Sequence, residues 1–299
     1  SNRANELWNV LDFIAGGSMG SYFGFVERYC LKNRWGGIID YINLEELQGK
    51  LKRYMIRRTK EQVLPDLPEK IMSEVPFELN DEEKELYQKI KKEILFEIAK
   101  EDLSKIESPM TIQQTLTKLL RLQQLVDSRE LLGEKTESSK VELLKELLSE
   151  GIVNGRKALV FTKFEKMAVI LARELKEYRP VVISGQVNEK RRQEIIKDFN
   201  GNEENKVLIS TSAGMYGLNL QRANLVFHFD QEFSLAKMEQ RVGRAHRFGQ
   251  KNTVFEYHLL ALSSVDFHFR KIVKSKAELS NLILGDTPIT MRDIRQMLL

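Results

Sequence analysis

The stretch Ala158-Leu159-Val160-Phe161-Thr162-Lys163-Phe164 decides the fold. Its first four residues are all apolar, which is typical of a short strand that is buried on both faces. Similar strands are predicted at 181–183, 207–209, 225–227 and 254–260, and helical patterns separate them at 165–178, 189–199 and 235–246. Short apolar strands that alternate with amphipathic helices predict an α/β fold, in which a parallel sheet has helices on both faces.

The chain before residue 140 has a different, mainly helical pattern. Helices are predicted at 5–15, 22–31, 43–55, 80–100 and 111–126, with N-caps at Asn43 and Asn80 because acidic residues follow each at capping distance. One strand is predicted at 71–79. The polar stretch 129–139 is predicted to be a linker, and a short amphipathic helix is expected at 289–299.

The composition is that of a soluble globular protein, with 42% apolar and 30% charged residues among 299. No apolar run approaches the roughly 18 residues that cross a bilayer, so no membrane partner is expected. The single cysteine, Cys30, cannot form an internal disulfide and favours an intracellular location. The N-terminus has no initiator methionine and no signal-peptide pattern, and we expect the chain to be part of a longer protein.

Hydroxyl and basic side chains follow three of the predicted strands. They are found at Thr162-Lys163, at Ser184-Gly185 and at Ser210-Thr211-Ser212, and Arg191 lies on the helix after Gly185. Helix N-termini with hydroxyl side chains bind anions. Ordinary N-capping explains one such end, but three in succession favour a phosphate-binding edge of the sheet.

The stretch from Gln240 to Gln250, QRVGRAHRFGQ, contains three arginines, of which Arg244 and Arg247 are a pair three residues apart. If the stretch is helical, Arg244 and Arg247 lie on one face. Their guanidinium groups suit the oxygens of a triphosphate or a nucleic-acid backbone. The alternative is that the arginines form a solvated basic helix end without a ligand. The hydroxyl and basic residues at the strand ends favour phosphate binding over that alternative.

Several catalytic patterns are absent from the sequence. There is no GxxxxGK[ST] loop, and no apolar strand ends in an Asp-Glu pair suited to magnesium. Cys30 and the four histidines lack the spacing of metal ligands, so no metal site is predicted. The chain can therefore supply arginine fingers, but it cannot supply the phosphate cradle.

Several segments resemble helicase motifs. The stretch 240–250 resembles motif VI of superfamily 2 helicases, 208–220 resembles motif V, and 158–164 resembles motif IV. The ending 246–250, together with 55–60 (MIRRTK) and 67–70 (LPEK), resembles the Swi/Snf-type DNA translocases and chromatin-remodelling ATPases. The resemblance covers nearly the whole chain and is closest to the prokaryotic and recombination translocases. One departure is Glu232-Phe233-Ser234, where the family often has Trp-Asn-Pro.

The resemblance implies the second of two RecA-like lobes. Residues 1–135 would be a mainly helical insertion with interlobe segments, whose strand at 71–79 is a candidate to join the sheet. Residues 136–275 would be the RecA-like lobe, and 276–299 a C-terminal helical extension. The first lobe, which carries the missing phosphate cradle, would hold Mg²⁺ and complete the ATP site.

The resemblance also assigns roles to individual positions. Arg244 and Arg247 match the catalytic arginine fingers. The implied ATP-binding residues are Gly217, Asn219 and Gln240, and the implied DNA-binding residues are Lys163, Ser184, Arg191, Thr211 and Ser212. Arg57 and Arg58 have two possible roles between which the sequence does not decide, a phosphate contact and a structural salt bridge.

These assignments predict the second motor lobe of an ATP-dependent translocase on double-stranded DNA, inactive as an ATPase without its first lobe. The expected location is intracellular and DNA-associated, and the expected partners are duplex DNA, the first lobe and a DNA-bound protein. Two alternatives stay open: the second lobe of an RNA helicase, and a catalytically silent domain that binds nucleic acid or protein.

Overall fold

The structure is a computed structural model that describes residues 4–34, 36–56, 58, 60–100, 109–153, 155–211, 219–232, 234–280 and 298. The helices are α1 (Ala4–Ile14), α2 (Tyr22–Tyr29), α3 (Leu44–Leu51), α4 (Lys60–Val63), α5 (Asp81–Lys100), α6 (Pro109–Asp127), α7 (Ser139–Gly151), α8 (Glu165–Glu174), α9 (Glu189–Gly201), α10 (Leu235–Val242) and α11 (Val265–Ser280). The strands are β1 (Cys30–Lys32), β2 (Ile38–Tyr41), β3 (Lys70–Phe77), β4 (Ala158–Thr162), β5 (Val181–Ile183), β6 (Val207–Thr211), β7 (Leu225–His228) and β8 (Val254–Ala261). Within the described ranges, no helix has both the length and the apolar character needed to cross a membrane.

A six-stranded parallel sheet organises the fold, in the order β3-β8-β7-β4-β6-β5. It confirms the predicted α/β class and its RecA-like arrangement. The edge strand β3 comes from the N-terminal part of the chain and pairs with β8 from Lys70↔Val254 to Phe77↔Ala261. The predicted strand at 71–79 therefore extends the sheet.

The strand β4 shows why the sheet needs helices on both faces. Ala158 and Val160 pack into the cluster that contains α7 and α8, whereas Leu159 and Phe161 pack into the cluster that contains α9 and α10. All four side chains are fully buried. Because successive strand residues point to opposite faces, an apolar run of this kind requires cover on both sides.

Two further apolar clusters lie beside the sheet. Helices α5, α6 and α11 pack together in one of them, and α1, α2 and α3 form the other. Asn80 caps α5 as predicted, since its Oδ1 accepts from Glu83 N at 2.9 Å while Glu83 Oε2 accepts from Asn80 N at 3.1 Å.

Two local predictions hold only in part. Asn43 lies at the N-cap position of α3, as predicted, but its backbone is left-handed (φ 53°) and its side chain makes no capping bond. Its amide donates instead to the carbonyl of Arg28 at 2.8 Å. The predicted linker 129–139 contains a 3₁₀ turn over Arg129–Leu132, in which Arg129 is buried against Glu82 and Thr136. In both cases a contact with another segment outweighs the local sequence preference. The helix expected at 289–299 lies outside the described residues, apart from the buried Leu298.

Candidate functional site

Three of the predicted DNA-binding residues meet at the carboxyl edge of the sheet, the edge formed by the strand C-termini. Lys163 follows β4, Thr211 ends β6 and Ser184 follows β5, and these three strands are neighbours. Thr162 pairs with Thr211 in the register, so the strand ends are level. Ser212 and Gly217 lie outside the described residues.

Asp230 ties two strand ends together at this carboxyl edge. Its Oδ2 accepts from the Thr162 hydroxyl at 2.6 Å and from the Lys163 backbone N–H at 2.6 Å. The side chain is fully buried, and burial raises the pKa of Asp230. Asp230 thus fixes the turn that leads from β4 into α8.

The side chain of Lys163 is directed into the protein. Its Nζ donates to Gln123 Oε1 at 2.8 Å and lies 5.8 Å from the ring centre of Phe269. Burial lowers the pKa of Lys163, although the Asp230 carboxylate opposes this effect. Its contact with DNA stays a prediction, because in this conformation the ammonium group contacts Gln123 of α6 and Phe269 of α11.

Ser184 and Arg191 are more accessible. Ser184 is half-buried, and its Oγ accepts from the N–H of Gln186 at 3.3 Å. Arg191 lies in the first turn of α9 with its side chain 66% exposed, paired with Glu194 at 2.9 Å. An exposed ion pair of this kind is weak enough to be exchanged for a phosphate contact. Thr211, in contrast, is buried.

The two arginines of the candidate catalytic pair do not lie on a helix. Helix α10 ends at Val242, and residues 243–250, here called the arginine turn, follow as a series of turns. The condition under which Arg244 and Arg247 share a helical face is therefore not met. Both side chains are half-buried. Gly249 has φ of +93°, a conformation that favours glycine.

The arginine turn packs against segments that precede strands. Leu220, which precedes β7, donates its N–H to Arg244 O at 3.1 Å. Pro68, which precedes β3, has its carbonyl oxygen 2.8 Å from His246 Nε2. The turn therefore lies at the amino edge, where the strands begin. The arginine turn and the hydroxyl-bearing strand ends therefore lie at opposite edges of the sheet.

The other predicted ATP-binding residues that are described also lie towards the amino edge. Asn219 is exposed beside Leu220, and its carbonyl accepts from Asn200 at 3.2 Å. Gln240 is exposed near the C-terminal end of α10. The fold thus separates the implied ATP residues from the implied DNA residues, because α10 runs back across the sheet.

The Gln250 side chain contacts five backbone atoms in and around the arginine turn. Its Nε2 lies 3.0 Å from both Gln221 O and Ala223 O, and 3.2 Å from Ala245 O. Its Oε1 accepts from the next two backbone N–H groups at 2.9 and 3.0 Å. The sequence indicated Gln250 only as part of a family ending and gave it no role.

Arg241 is a second residue that sequence reasoning missed. It is fully buried, and its guanidinium contacts Glu232 Oε1 at 2.6 Å and Asp230 O at 3.3 Å. The group also lies 5.7 Å from the ring centre of Phe161. Its position three residues after the buried Met238 was the available signal, since that spacing places it on the inner face of α10.

A buried ion-pair cluster joins α6, α7 and α11. Lys140 Nζ lies 2.8 Å from Asp127 Oδ1 and also contacts Asp266 Oδ2, and all three side chains are fully buried. Burial lowers the pKa of Lys140, but the two carboxylates outweigh it and raise the pKa overall. Gln123 extends the cluster to Lys163, since its Nε2 lies 3.2 Å from Asp266 Oδ1.

The fold also brings together His228, Glu256 and His258, although sequence spacing predicted no such cluster. Both histidine Nε2 atoms lie close to Glu256 Oε1, at 3.1 and 3.0 Å. The rings stack with centroids 4.4 Å apart at 11°, so their nitrogen lone pairs lie in nearly parallel planes. Lone pairs in that arrangement do not converge on one ion, and the cluster fits hydrogen bonding better than metal ligation.

Comparisons with known proteins agree with this architecture. A family model described as the SNF2-related domain matches residues 1–131, and one described as the helicase conserved C-terminal domain matches residues 139–249. An uncharacterized ATP-dependent helicase of Mycoplasma genitalium is 30% identical over 281 residues, which cover 93% of this chain and 26% of that protein. The DNA repair and recombination protein RAD26 of Saccharomyces cerevisiae is 27% identical, over 95% of this chain and 28% of its own length.

Among solved structures, the Sulfolobus solfataricus SWI2/SNF2 ATPase core in complex with dsDNA matches with a TM-score of 0.63 and 26% identity. The match covers 99% of this chain and 64% of that one. The chain thus spans less than a third of the length of either relative and about two thirds of the solved ATPase core.

Proposed function

The chain belongs to the Swi/Snf-type, SNF2-related family of ATP-dependent helicases, and from this we propose that it is the second motor lobe of a double-stranded DNA translocase. The observation that carries the proposal is the separation of the two edges of the sheet. Arg244, Arg247 and Asn219 lie towards one edge. Ser184 and Arg191 are accessible at the other edge, where Thr211 is buried.

Arg244 and Arg247 would act as arginine fingers on a triphosphate that the first lobe binds. Their half-buried guanidinium groups suit the charge that develops on the transferred phosphoryl group. Bound ATP supplies that group for transfer to water. Gly217, Asn219 and Gln240 would contact the nucleotide from the same side.

We assign Mg²⁺ to the first lobe, because that lobe would carry the phosphate cradle that this sequence lacks. The carboxylates of Asp230 and Glu232 lie at the carboxyl edge, away from the two arginines. They are engaged by Thr162, Lys163 and Arg241. By the same reasoning, this chain alone should hydrolyse ATP no faster than background.

The protein would contact the sugar-phosphate backbone of DNA and would not read the base sequence. Arg191 and the hydroxyl of Ser184 are accessible at the carboxyl edge and suit phosphate oxygens. Lys163, Thr211 and Ser212 are proposed for the same strand of DNA. For Lys163 this requires that the ammonium group leave Gln123 when DNA binds.

The test uses the protein that carries both lobes. Replacing Arg244 with alanine should lower DNA-stimulated ATP hydrolysis about a thousandfold or more, the usual worth of an arginine finger. Arg173→Ala is the matched control, since Arg173 is a half-exposed surface arginine paired with Glu130 and Glu174. Wild-type hydrolysis in Arg244→Ala would refute the assignment.

A second experiment separates the proposal from the RNA-helicase alternative. Duplex DNA should stimulate hydrolysis more strongly than RNA of equal length, and Arg191→Glu should raise the DNA concentration needed for half-maximal stimulation. Stronger stimulation by RNA would favour the alternative. The absence of ATP hydrolysis with either nucleic acid would favour a catalytically silent binding domain.

The remaining assignments follow from the same proposal. We propose an intracellular, DNA-associated protein, in which the helical part (residues 1–135) offers a surface for a DNA-bound protein partner. The division at residues 135 and 275 is proposed with it, although β3 of the first part lies in the sheet of the second.

A further inference from the structure

We propose that Gln250 positions Arg244 and Arg247 for catalysis, a role that rests on the proposed function of the two arginines. Gln250 is itself no contact of the substrate. It is 6% exposed, and its amide is directed into the protein. Its effect would be exerted entirely through the backbone of the arginine turn.

The geometry shows one side chain that joins three segments of backbone. The amide nitrogen reaches Ala245 O, which lies between the two arginines, and also Gln221 O and Ala223 O, which precede β7. The amide oxygen accepts from Lys251 N and Asn252 N, which lead into β8. The arginine turn is thereby tied to two central strands of the sheet.

This connection matters because helical hydrogen bonds reach only the first part of the arginine turn. His246 N still donates to Val242 O at 2.8 Å, but the later backbone bonds, such as Gln250 N to Arg247 O at 3.0 Å, belong to turns. Helix α10 ends at Val242, and the following eight residues are kept in place by turn contacts and by side chains. A displacement of about 1 Å in a catalytic group can cost about a hundredfold in rate. A residue that fixes the backbone between the arginines is therefore expected to affect turnover.

The substitution Gln250→Glu tests this with the smallest change in shape. It replaces the donor nitrogen with an oxygen that faces three carbonyl oxygens. Rotating the carboxylate does not help, because its other oxygen is needed by two N–H groups. In the two-lobe protein with saturating duplex DNA, we expect kcat to fall about a hundredfold while the KM for ATP changes far less.

Asn205→Asp is the matched control. It is also an amide-to-acid change at a buried position, since Asn205 is 7% exposed and donates to Asp198 Oδ2. It lies between α9 and β6, and its hydrogen bonds join it to Asp198 and Asn202. It should lower the melting temperature but leave kcat per folded molecule near the wild-type value.

A double-mutant cycle distinguishes positioning from a merely structural role. If Gln250 acts through Arg244, then Gln250→Glu adds little to Arg244→Ala, and the double variant turns over like Arg244→Ala alone. The inference is wrong if the losses multiply in this cycle and also in the matching cycle with Arg247→Ala. It is also wrong if Gln250→Glu keeps kcat within about threefold of wild type, a loss far below that of a misplaced catalytic group.

Two further outcomes are distinguishable. If Arg244→Ala hydrolyses ATP like wild type, the proposed function fails first and this inference fails with it. If Gln250→Glu does not fold, as judged by circular dichroism, Gln250→Met provides the same test. It removes the donors without adding charge, and the same loss of kcat and the same non-additivity with Arg244→Ala are expected.

Discussion

The buried Lys140 offers the sharpest test of how this lobe is held together. Its ammonium group lies between Asp127 and Asp266, and no atom of the three side chains reaches solvent. Replacing Lys140 with methionine keeps an unbranched side chain as far as Cε and removes the charged ammonium group. Two carboxylates would then share a buried site without their cation.

The size of the effect follows from the distance. Opposite charges 2.8 Å apart attract by about 6 kcal/mol at an effective dielectric constant of about 20. Removing the lysine also removes its own desolvation cost, which is several kcal/mol for a buried ion. The net loss that we expect in the free energy of unfolding is about 3–5 kcal/mol at neutral pH.

The loss should depend on pH with a defined sign. Burial already raises the pKa of Asp127, and without Lys140 the pKa rises further. The folded variant then binds more protons than the unfolded chain at pH values between the unfolded and folded pKa of Asp127. The deficit relative to wild type should therefore shrink as the pH falls through that window.

Urea denaturation followed by circular dichroism and by fluorescence, at pH 8 and at pH 5, measures this effect. Lys145→Met on the same helix is the control, because Lys145 forms partly exposed pairs with Glu142 and Glu174. That change should cost less than about 1 kcal/mol. A Lys140→Met deficit that is equally small, or one that does not vary with pH, would refute the reasoning.

Three further substitutions test other parts of the structure. Burial lowers the pKa of His228 to about 3 from its ordinary value of 6.5; the unfolded chain alone therefore binds this proton, and stability falls by up to about 5 kcal/mol as the pH drops through that window. His228→Gln should reduce the pH dependence of the free energy of unfolding, measured by urea denaturation at several pH values. An unchanged pH dependence would contradict this assignment to His228. Gly249→Ala should cost about 1–3 kcal/mol in thermal unfolding, because φ is +93° and the added Cβ would lie 3.1 Å from Gln221 Nε2; Gly201→Ala, where nothing lies within 4 Å, should not. Glu83→Ala should cost about 1–3 kcal/mol and speed hydrogen exchange at the starts of both α5 and α7, since the buried carboxylate accepts from N–H groups there at 3.1 and 3.2 Å; faster exchange in only one helix would contradict the shared cap.

Much of the sheet could be predicted from the sequence, and the reason is visible in β4. Four apolar residues in succession have no solvent-facing alternative, so their burial on both faces is dictated locally. The N-cap of α5 was predictable for a similar reason, since Asn80 and Glu83 satisfy each other within four residues.

The failures occur where a distant partner decides the outcome. Asn43 has the sequence of a cap, but its amide bonds to the carbonyl of Arg28. Helical periodicity continues past Val242, but the backbone beyond it is bound by Leu220 and Gln250, and the His246 side chain contacts Pro68 O. Local propensity amounts to tenths of a kcal/mol per residue, so a few buried hydrogen bonds override it.

The sequence by itself determined the class of fold, the family and the types of residue that meet phosphate, because apolar runs and motif spacing are local properties of the chain. Only the tertiary structure decided that the implied ATP residues and the implied DNA residues lie on opposite edges of the sheet. It also decided that Gln250, Arg241 and Lys140 hold those edges in place. The physical reason is that a buried charge or amide is stable only with its partners, and here most partners are distant in the chain.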